Sequence, residues 1–302
     1  MRKPWLIYAL ITTGFWGVWG AFAEFPTRHG FPETLVYVVW TLTMIPPALY
    51  AMRRVGWRVQ RDSRSVLLGA LIGFTGAGGQ MLLFHAVHTG PTYLIFPIIA
   101  LSPVVTIGLS MIFLRERVSK LGAFGVLLAL LALPLFNYSP GGGESGVSGG
   151  LQGLTWFVYA LIILLAWGVQ GYFMKLANAT MDAENIFLYM ALTALLLIPV
   201  ALWMTDFSVP IHYGWQGPGL AAVTQILNAV GALTLVYAFR YGRALVVAPL
   251  ANAGAPMITA IVSMIVLAVM PNTVTIVAIA LAFLAAALLA VEPEEKLIEQ
   301  PT

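Results

Sequence analysis

Five amides, Gln80, Gln170, Gln225, Asn228 and Asn252, interrupt long apolar stretches of this chain, and three tryptophans, Trp16, Trp19 and Trp167, lie in the same kind of surroundings. A buried amide is costly unless it is hydrogen-bonded, so each must meet a neighbouring helix or a ligand. Gln225 and Asn228 are three residues apart, as are Trp16 and Trp19, and on a helix that spacing puts each pair on one face. Phe15 and Phe22 extend the tryptophan face. Flat rings beside sparse amides suit a small, partly apolar molecule, held by stacking and by oriented hydrogen bonds. The competing explanation is plain packing, with amides as glue between helices and tryptophans at a seam. Trp16 and Trp167 fall well inside their apolar stretches, away from the interfacial belts that membrane tryptophans usually occupy.

Ionisable candidates are few. His85 alone titrates inside an apolar stretch, which makes it a functional-site candidate; its alternative role is interfacial packing. Glu24 closes the first apolar segment and offers a gate or coupling residue, against the simpler role of an interfacial charge that ends a helix. Pro97, Pro103, Pro249 and Pro256, with Pro46, Pro47 and Pro199, each remove a backbone hydrogen bond and mark candidate hinges. Cysteine is absent, which excludes disulfides, thiolate metal sites and thiol nucleophiles. No metal ligands, no paired acids and no Ser/His set stand at depth, so neither a cofactor nor an intramembrane enzyme is expected. The glycines at 69, 73, 76, 78 and 79 read as close helix packing. "GGGESGVSGG" (141–150) reads as a flexible linker, since it lacks the closing Gly-Lys-Ser/Thr of a phosphate loop.

The elements that position these residues follow from composition. Of 302 residues, 60% are hydrophobic and 9% charged, far outside the soluble range. Ten segments free of Asp, Glu, Lys and Arg are long enough for helices in a bilayer: Trp5 to Ala23, Leu35 to Met52, Ser65 to Val87, Thr92 to Leu114, Leu121 to Phe136, Gly153 to Met174, Ile186 to Met204, Gly217 to Phe239, Ala244 to Met270 and Val274 to Val291. An all-α integral membrane protein of ten transmembrane helices is expected. With a cytoplasmic N-terminus, every Lys and Arg except Arg28 falls on the inner side, which places both termini in the cytoplasm and the chain in a plasma membrane of the bacterial inner-membrane type. The net charge of +3 is then juxtamembrane, drawn to the lipid bilayer rather than to nucleic acid. The basic start and Ala21-Phe-Ala23 resemble a signal peptide, but the apolar run is too long for one.

That first segment is also written twice. "YALITTGFWGVWGAF" (8–22) returns as "YALIILLAWGVQGYF" (159–173), with nine of fifteen positions identical. "IPPAL" at Ile45 answers "IPVAL" at Ile198, and Gly79, Ala86, Gly90 and Pro97 answer Gly231, Ala238, Gly242 and Pro249. Two five-helix repeats follow, residues 1–137 and 153–291, joined by the Gly/Ser-rich stretch 138–152 and ended by the tail 292–302. Five is odd, so the second copy enters the membrane from the opposite side. Inverted repeats supply two equivalent gates around a midplane site, the design of secondary transporters; a duplication that only builds a stable bundle is the simpler alternative.

With its Trp-Gly-containing first helix and "TGPTYLIFPIIALSPVVTIGLSMIFLRERVSK" (89–120), the chain resembles the ten-helix, EamA-type members of the drug/metabolite transporter superfamily over essentially its whole length. The resemblance implies a secondary carrier of small metabolites, often an exporter of amino acids or related compounds. It also implies a central cavity lined by helices 1 to 4 and 6 to 9, with helices 5 and 10 peripheral. The acidic residue that small multidrug-resistance relatives carry in the first helix is absent; Gly14, Phe15 and Trp16 stand there. The leading expectation is therefore metabolite export by alternating access with a small-molecule substrate. Sugar or polyol uptake, or a non-transporting receptor or scaffold, are the alternatives. A monomer suffices, and an oligomer stays open.

Overall fold

The computed structural model describes residues 4–113, 120–135, 155–241, 244–268 and 270–290. The linker 138–152 and the tail 292–302 lie outside them. The described residues are helical, with no strand among them. Seven stretches are long and apolar enough to cross a membrane: Pro4–Arg28, Glu33–Arg54, Ser63–Thr89, Thr92–Phe113, Thr155–Asn178, Ala183–Met204 and Trp215–Ala238. Three shorter apolar helices accompany them, Lys120–Ala132, Gly254–Val266 and Thr273–Ala285. The chain is thus an integral membrane protein. Its exposed Ile7, Leu10, Leu127, Leu130 and Ile265 follow from that, because lipid is as apolar as a protein core.

The helices, in chain order, are α1 (Pro4–Phe22), α2 (Phe25–Arg28), α3 (Glu33–Thr43), α4 (Ile45–Arg54), α5 (Ser63–Thr89), α6 (Thr92–Ile99), α7 (Ser102–Phe113), α8 (Lys120–Leu135), α9 (Thr155–Asn178), α10 (Ala183–Leu196), α11 (Ile198–Met204), α12 (Leu220–Tyr241), α13 (Ala244–Leu267) and α14 (Thr273–Ala290). A π-helical turn, Trp215–Gly219, leads into α12. Three of the expected long segments are split. The breaks fall at Met44, at Ala100 and Leu101, and at Leu197, each just before a proline in the first turn of the next helix: Pro46, Pro103 and Pro199. There the missing N–H has no partner to lose, and the ring blocks continuation from upstream. Pro97 sits inside α6, and α13 runs unbroken through Pro249 and Pro256. The fourth helix of the first half is therefore interrupted where its counterpart is continuous.

Asp62 caps α5 by accepting a hydrogen bond from Ser65 N at 3.0 Å. The Ser65 hydroxyl, and then this backbone N–H, hold the Asp62 carboxyl below the usual carboxylate range. α8 and α14 pack on each other, and both bury small residues that let backbones approach: Ala129 and Ala132 in α8, and Ala278, Ala282 and Ala285 in α14. The remaining helices form the body of the bundle. Within it α1 packs on α12 and α13, while α9 packs on α5, α6 and α7.

Candidate functional site

The duplicated segment explains that arrangement. Trp16 of α1 lies against Gly231 of α12 and donates its indole N–H to Asn228 O at 3.1 Å. Trp167 of α9 lies against Gly79 of α5 and donates to Gly76 O at 3.4 Å. Each partner is the other's counterpart, 151 positions apart for the tryptophans and 152 for the glycines and carbonyls. The next residues repeat the exchange. Thr259 of α13 donates to Gly17 O at 3.0 Å and Thr106 of α7 to Gly168 O at 2.7 Å. Ile258 crowds Gly17 as Val105 crowds Gly168. The first helix of each half is thus seated in the other half. The Trp-Gly pair makes the seat: the indole reaches a carbonyl, and the bare Cα admits the opposing helix.

Between the two tryptophan seats runs a buried polar network. Trp19 Nε1 donates to Gln225 Oε1 at 2.8 Å, and Asn228, one turn further along α12, donates through Nδ2 to Gln80 Oε1 at 3.3 Å. All four side chains are buried, Gln225 completely. Phe84 and Phe96 hold the Trp19 ring edge-on at 6.5 and 6.0 Å. The structure brings Trp16, Trp19, Gln80, Gln225, Asn228 and Trp167 into one seam across α1, α12, α5 and α9. Gln170 joins it by lying over Gly76. The side chain of Asn252 lies outside the described residues.

Glu24 and His85 sit apart from this seam, near one end of the bundle. Glu24 pairs with Arg28 at 2.9 Å and accepts from Thr92 Oγ1 at 3.3 Å. His85 Nδ1 is 3.1 Å from Glu33 Oε1, with its ring edge-on to Tyr159 at 5.0 Å. The opposite, arginine-rich end carries the counterpart. Glu184, 151 positions after Glu33, pairs with Arg240, whose Nη1 donates to Oε1 at 2.9 Å and to Oε2 at 2.7 Å. Tyr237, the counterpart of His85, lies on Tyr8, the counterpart of Tyr159, at 5.5 Å, with the Arg54 guanidinium over its ring. Glu33, Glu184 and Arg240 are functional candidates that the apolar-core reading passed over, because all three fall at segment ends. Their signal was the constant offset between Glu33 and Glu184.

Both ends are also stitched between the halves. At the arginine-rich end Gln60 N donates to Asn185 Oδ1 at 3.0 Å, Asp182 N to Gln60 Oε1 at 2.8 Å and Tyr189 Oη to Gln60 O at 2.7 Å. At the other end His212 N donates to Gly30 O at 3.0 Å, and the hydroxyls of Thr34 and Thr205 share a bond of 2.7 Å. Each end thus carries hydrogen bonds that tie one half to the other.

Comparison with known proteins agrees with this architecture. An uncharacterized protein of Methanocaldococcus jannaschii, MJ1333.1, is 21% identical over 134 residues, which make up 96% of that protein but 44% of this chain. A protein of known crystal structure matches 93% of this chain and 94% of its own with a TM-score of 0.65 at 17% identity, so the fold is shared. The EamA-like transporter family model matches twice, over residues 3–138 and 154–291. The two matches together take in the helices that carry both tryptophan seats and the amide network, and the chain belongs to the EamA-like transporter family, a family of transporters rather than enzymes.

Proposed function

We propose that this protein is a secondary transporter that moves a small metabolite by alternating access, with the substrate held along the seam of Trp16, Trp19, Gln80, Gln225, Asn228 and Trp167. All ten apolar helices cross the membrane in this reading, five in each half and inverted. The arginine-rich end faces the cytoplasm of a bacterial inner membrane in this reading, which the distribution of Lys and Arg supports. Amino acids or related compounds leaving the cell are the cargo that family likeness favours. Uptake of a sugar or polyol is the second reading, favoured by the neutral, amide-based polarity of the seam.

The observation that carries the proposal is the pairing of closures. Gln60 with Asp182, Asn185 and Tyr189 stitches one end, and Gly30 with His212 and Thr34 with Thr205 stitches the other; Gln60 answers His212 and Thr34 answers Asn185 across the two halves. Release of one set at a time exposes a central site to one side and then the other.

The test exploits the absence of native cysteine. In Thr34→Cys/Thr205→Cys the two sulfurs replace hydroxyls 2.7 Å apart, within reach of a disulfide. Oxidation of the variant in liposomes should stop exchange of the cargo, found by screening amino acids, sugars and polyols, and reductant should restore it. Full-rate exchange with the crosslink formed refutes alternation at this end.

A further inference from the structure

Gln225 has a fixed amide orientation. The indole of Trp19 can only donate, so the atom it meets at 2.8 Å is Oε1, and Nε2 points elsewhere. That Nε2 is completely buried and has no hydrogen-bond partner, and the same holds for Gln80 Nε2, whose Oε1 accepts from Asn228. The other buried side-chain atoms without a partner among the described residues are Trp40 Nε1, Trp156 Nε1, Tyr237 Oη and Ser263 Oγ. All six carry a hydrogen to give. A buried donor left unmet is costly, so such atoms in a folded protein normally await water or a ligand. Gln225 Oε1 and Gln80 Oε1 each already accept one hydrogen bond, from Trp19 and Asn228, while the two Nε2 atoms give none.

We infer that the seam recognises an uncharged molecule through its acceptor oxygens, hydroxyl or carbonyl, which take hydrogen bonds from Gln225 Nε2 and Gln80 Nε2 while Trp16 supplies a ring face. This rests on the transport reading above but reverses its order of cargo, placing sugars, polyols and neutral amides ahead of amino acids. A cation finds no carboxylate here, because none of the ten apolar segments contains Asp or Glu. An anion finds no Lys or Arg in them either, and a buried charge without a partner is far more costly than a buried hydroxyl with one. A zwitterionic amino acid brings both problems at once.

Purified protein in nanodiscs, read by thermal stabilisation and by tryptophan fluorescence, separates these classes with glucose, xylitol and acetamide against alanine, succinate and tetramethylammonium. Binding within the first group is expected, and binding confined to the second overturns the inference. The deciding variant is Gln225→Met, which keeps the length and volume of the side chain, brings no charge and carries no donor. It should weaken the neutral ligand at least tenfold while the protein still melts cooperatively, and Gln225→Leu should do the same. Unaltered affinity in Gln225→Met also overturns it. Exchange measured in liposomes keeps the two proposals apart: exchange of alanine or tetramethylammonium without any of the neutral compounds sinks the cargo assignment and leaves the transporter, while a wild-type protein that binds and exchanges nothing in either group sinks both.

Discussion

Gly78 and Gly79 are neighbours on α5 and should respond to the same substitution with opposite signs. A Cβ added at Gly78 meets nothing within 4 Å. One added at Gly79 lies 2.5 Å from Trp167 Nε1 and 2.8 Å from its Cδ1, far inside van der Waals contact. Alanine in place of a helical glycine gains about 1 kcal/mol from backbone entropy wherever there is room. At Gly79 the indole must move, at about 1–3 kcal/mol for overpacking, and it gives up the bond to Gly76 O, worth roughly 0.6 kcal/mol between membrane helices. Set against the entropy gain, that leaves Gly79→Ala less stable by about 0.6–2.6 kcal/mol and Gly78→Ala more stable by about 1 kcal/mol. The assay is unfolding of the detergent-solubilised protein in an SDS titration with circular dichroism. Gly231→Ala should behave like Gly79→Ala, because its Cβ would lie 2.5 Å from Trp16 Nε1. Equal shifts for Gly78→Ala and Gly79→Ala would refute the tryptophan seat as the reason the glycine is there.

Three further predictions concern the closures and seams. Glu184→Gln should lower stability by about 1.5–3 kcal/mol, nearer the lower figure because the Arg240 side chain is 42% exposed; Glu33→Gln should lower it less, since His85 and Glu33 are both partly open, and thermal unfolding of the two variants ranks them. Thr106→Val and Thr259→Val should each cost roughly 0.6 kcal/mol, and similar values in the same SDS titration would show that the halves exchange helices through equivalent bonds. Asp62→Asn should keep the α5 cap and Asp62→Ala should fray it, seen as faster amide hydrogen exchange over residues 63–66. Because the hydrogen bonds to Ser65 depress the Asp62 pKa, the charged cap is intact above the ordinary carboxylate range and is lost as pH falls through its lowered value, so wild-type exchange there should rise only in strong acid.

Helix existence was legible because lipid leaves the backbone no alternative, and charge-free apolar runs mark it without any need for periodicity. Helix interruption was legible only in part. Pro46, Pro103 and Pro199 each open a new helix, while Pro249 and Pro256 lie within a continuous α13, so the residue alone does not decide. The repeat showed that Trp16 equals Trp167 but not what either touches, since self-similarity gives equivalence and not partnership. Contacts between Trp16 and Gly231 and between Trp167 and Gly79 needed coordinates, although both glycines were visible as a repeated pair. Spacing placed Gln225 and Asn228 on one face, yet which helix that face met was set by packing. The Gln60 stitches had no sequence signal, because a single glutamine in a basic loop looks like ordinary surface.

The halves share a scaffold and differ in what they hang on it. Gln225 and Asn228 of α12 answer to Gly73 and Gly76 of α5, and Trp19 answers to Gln170. Where α12 offers amides, α5 offers bare backbone, and larger neighbours fill the space: Thr193 and the Tyr189 carbonyl press on Gly73, Gln170 on Gly76 and the Tyr189 ring on Gly69. The polar layer is therefore one-sided. It is built on α1, α12 and Gln80 of α5, while its mirror position is closed by side chains from α9 and α10. A duplicated scaffold with equal sites on both sides would hold cargo twice, or hold it equally badly in each state. In the proposed transport cycle, a polar layer carried mainly by α1, α12 and Gln80 would give the cargo one point of attachment, and the tryptophan seats, alike on both sides, would serve the exchange of contacts at one end for contacts at the other.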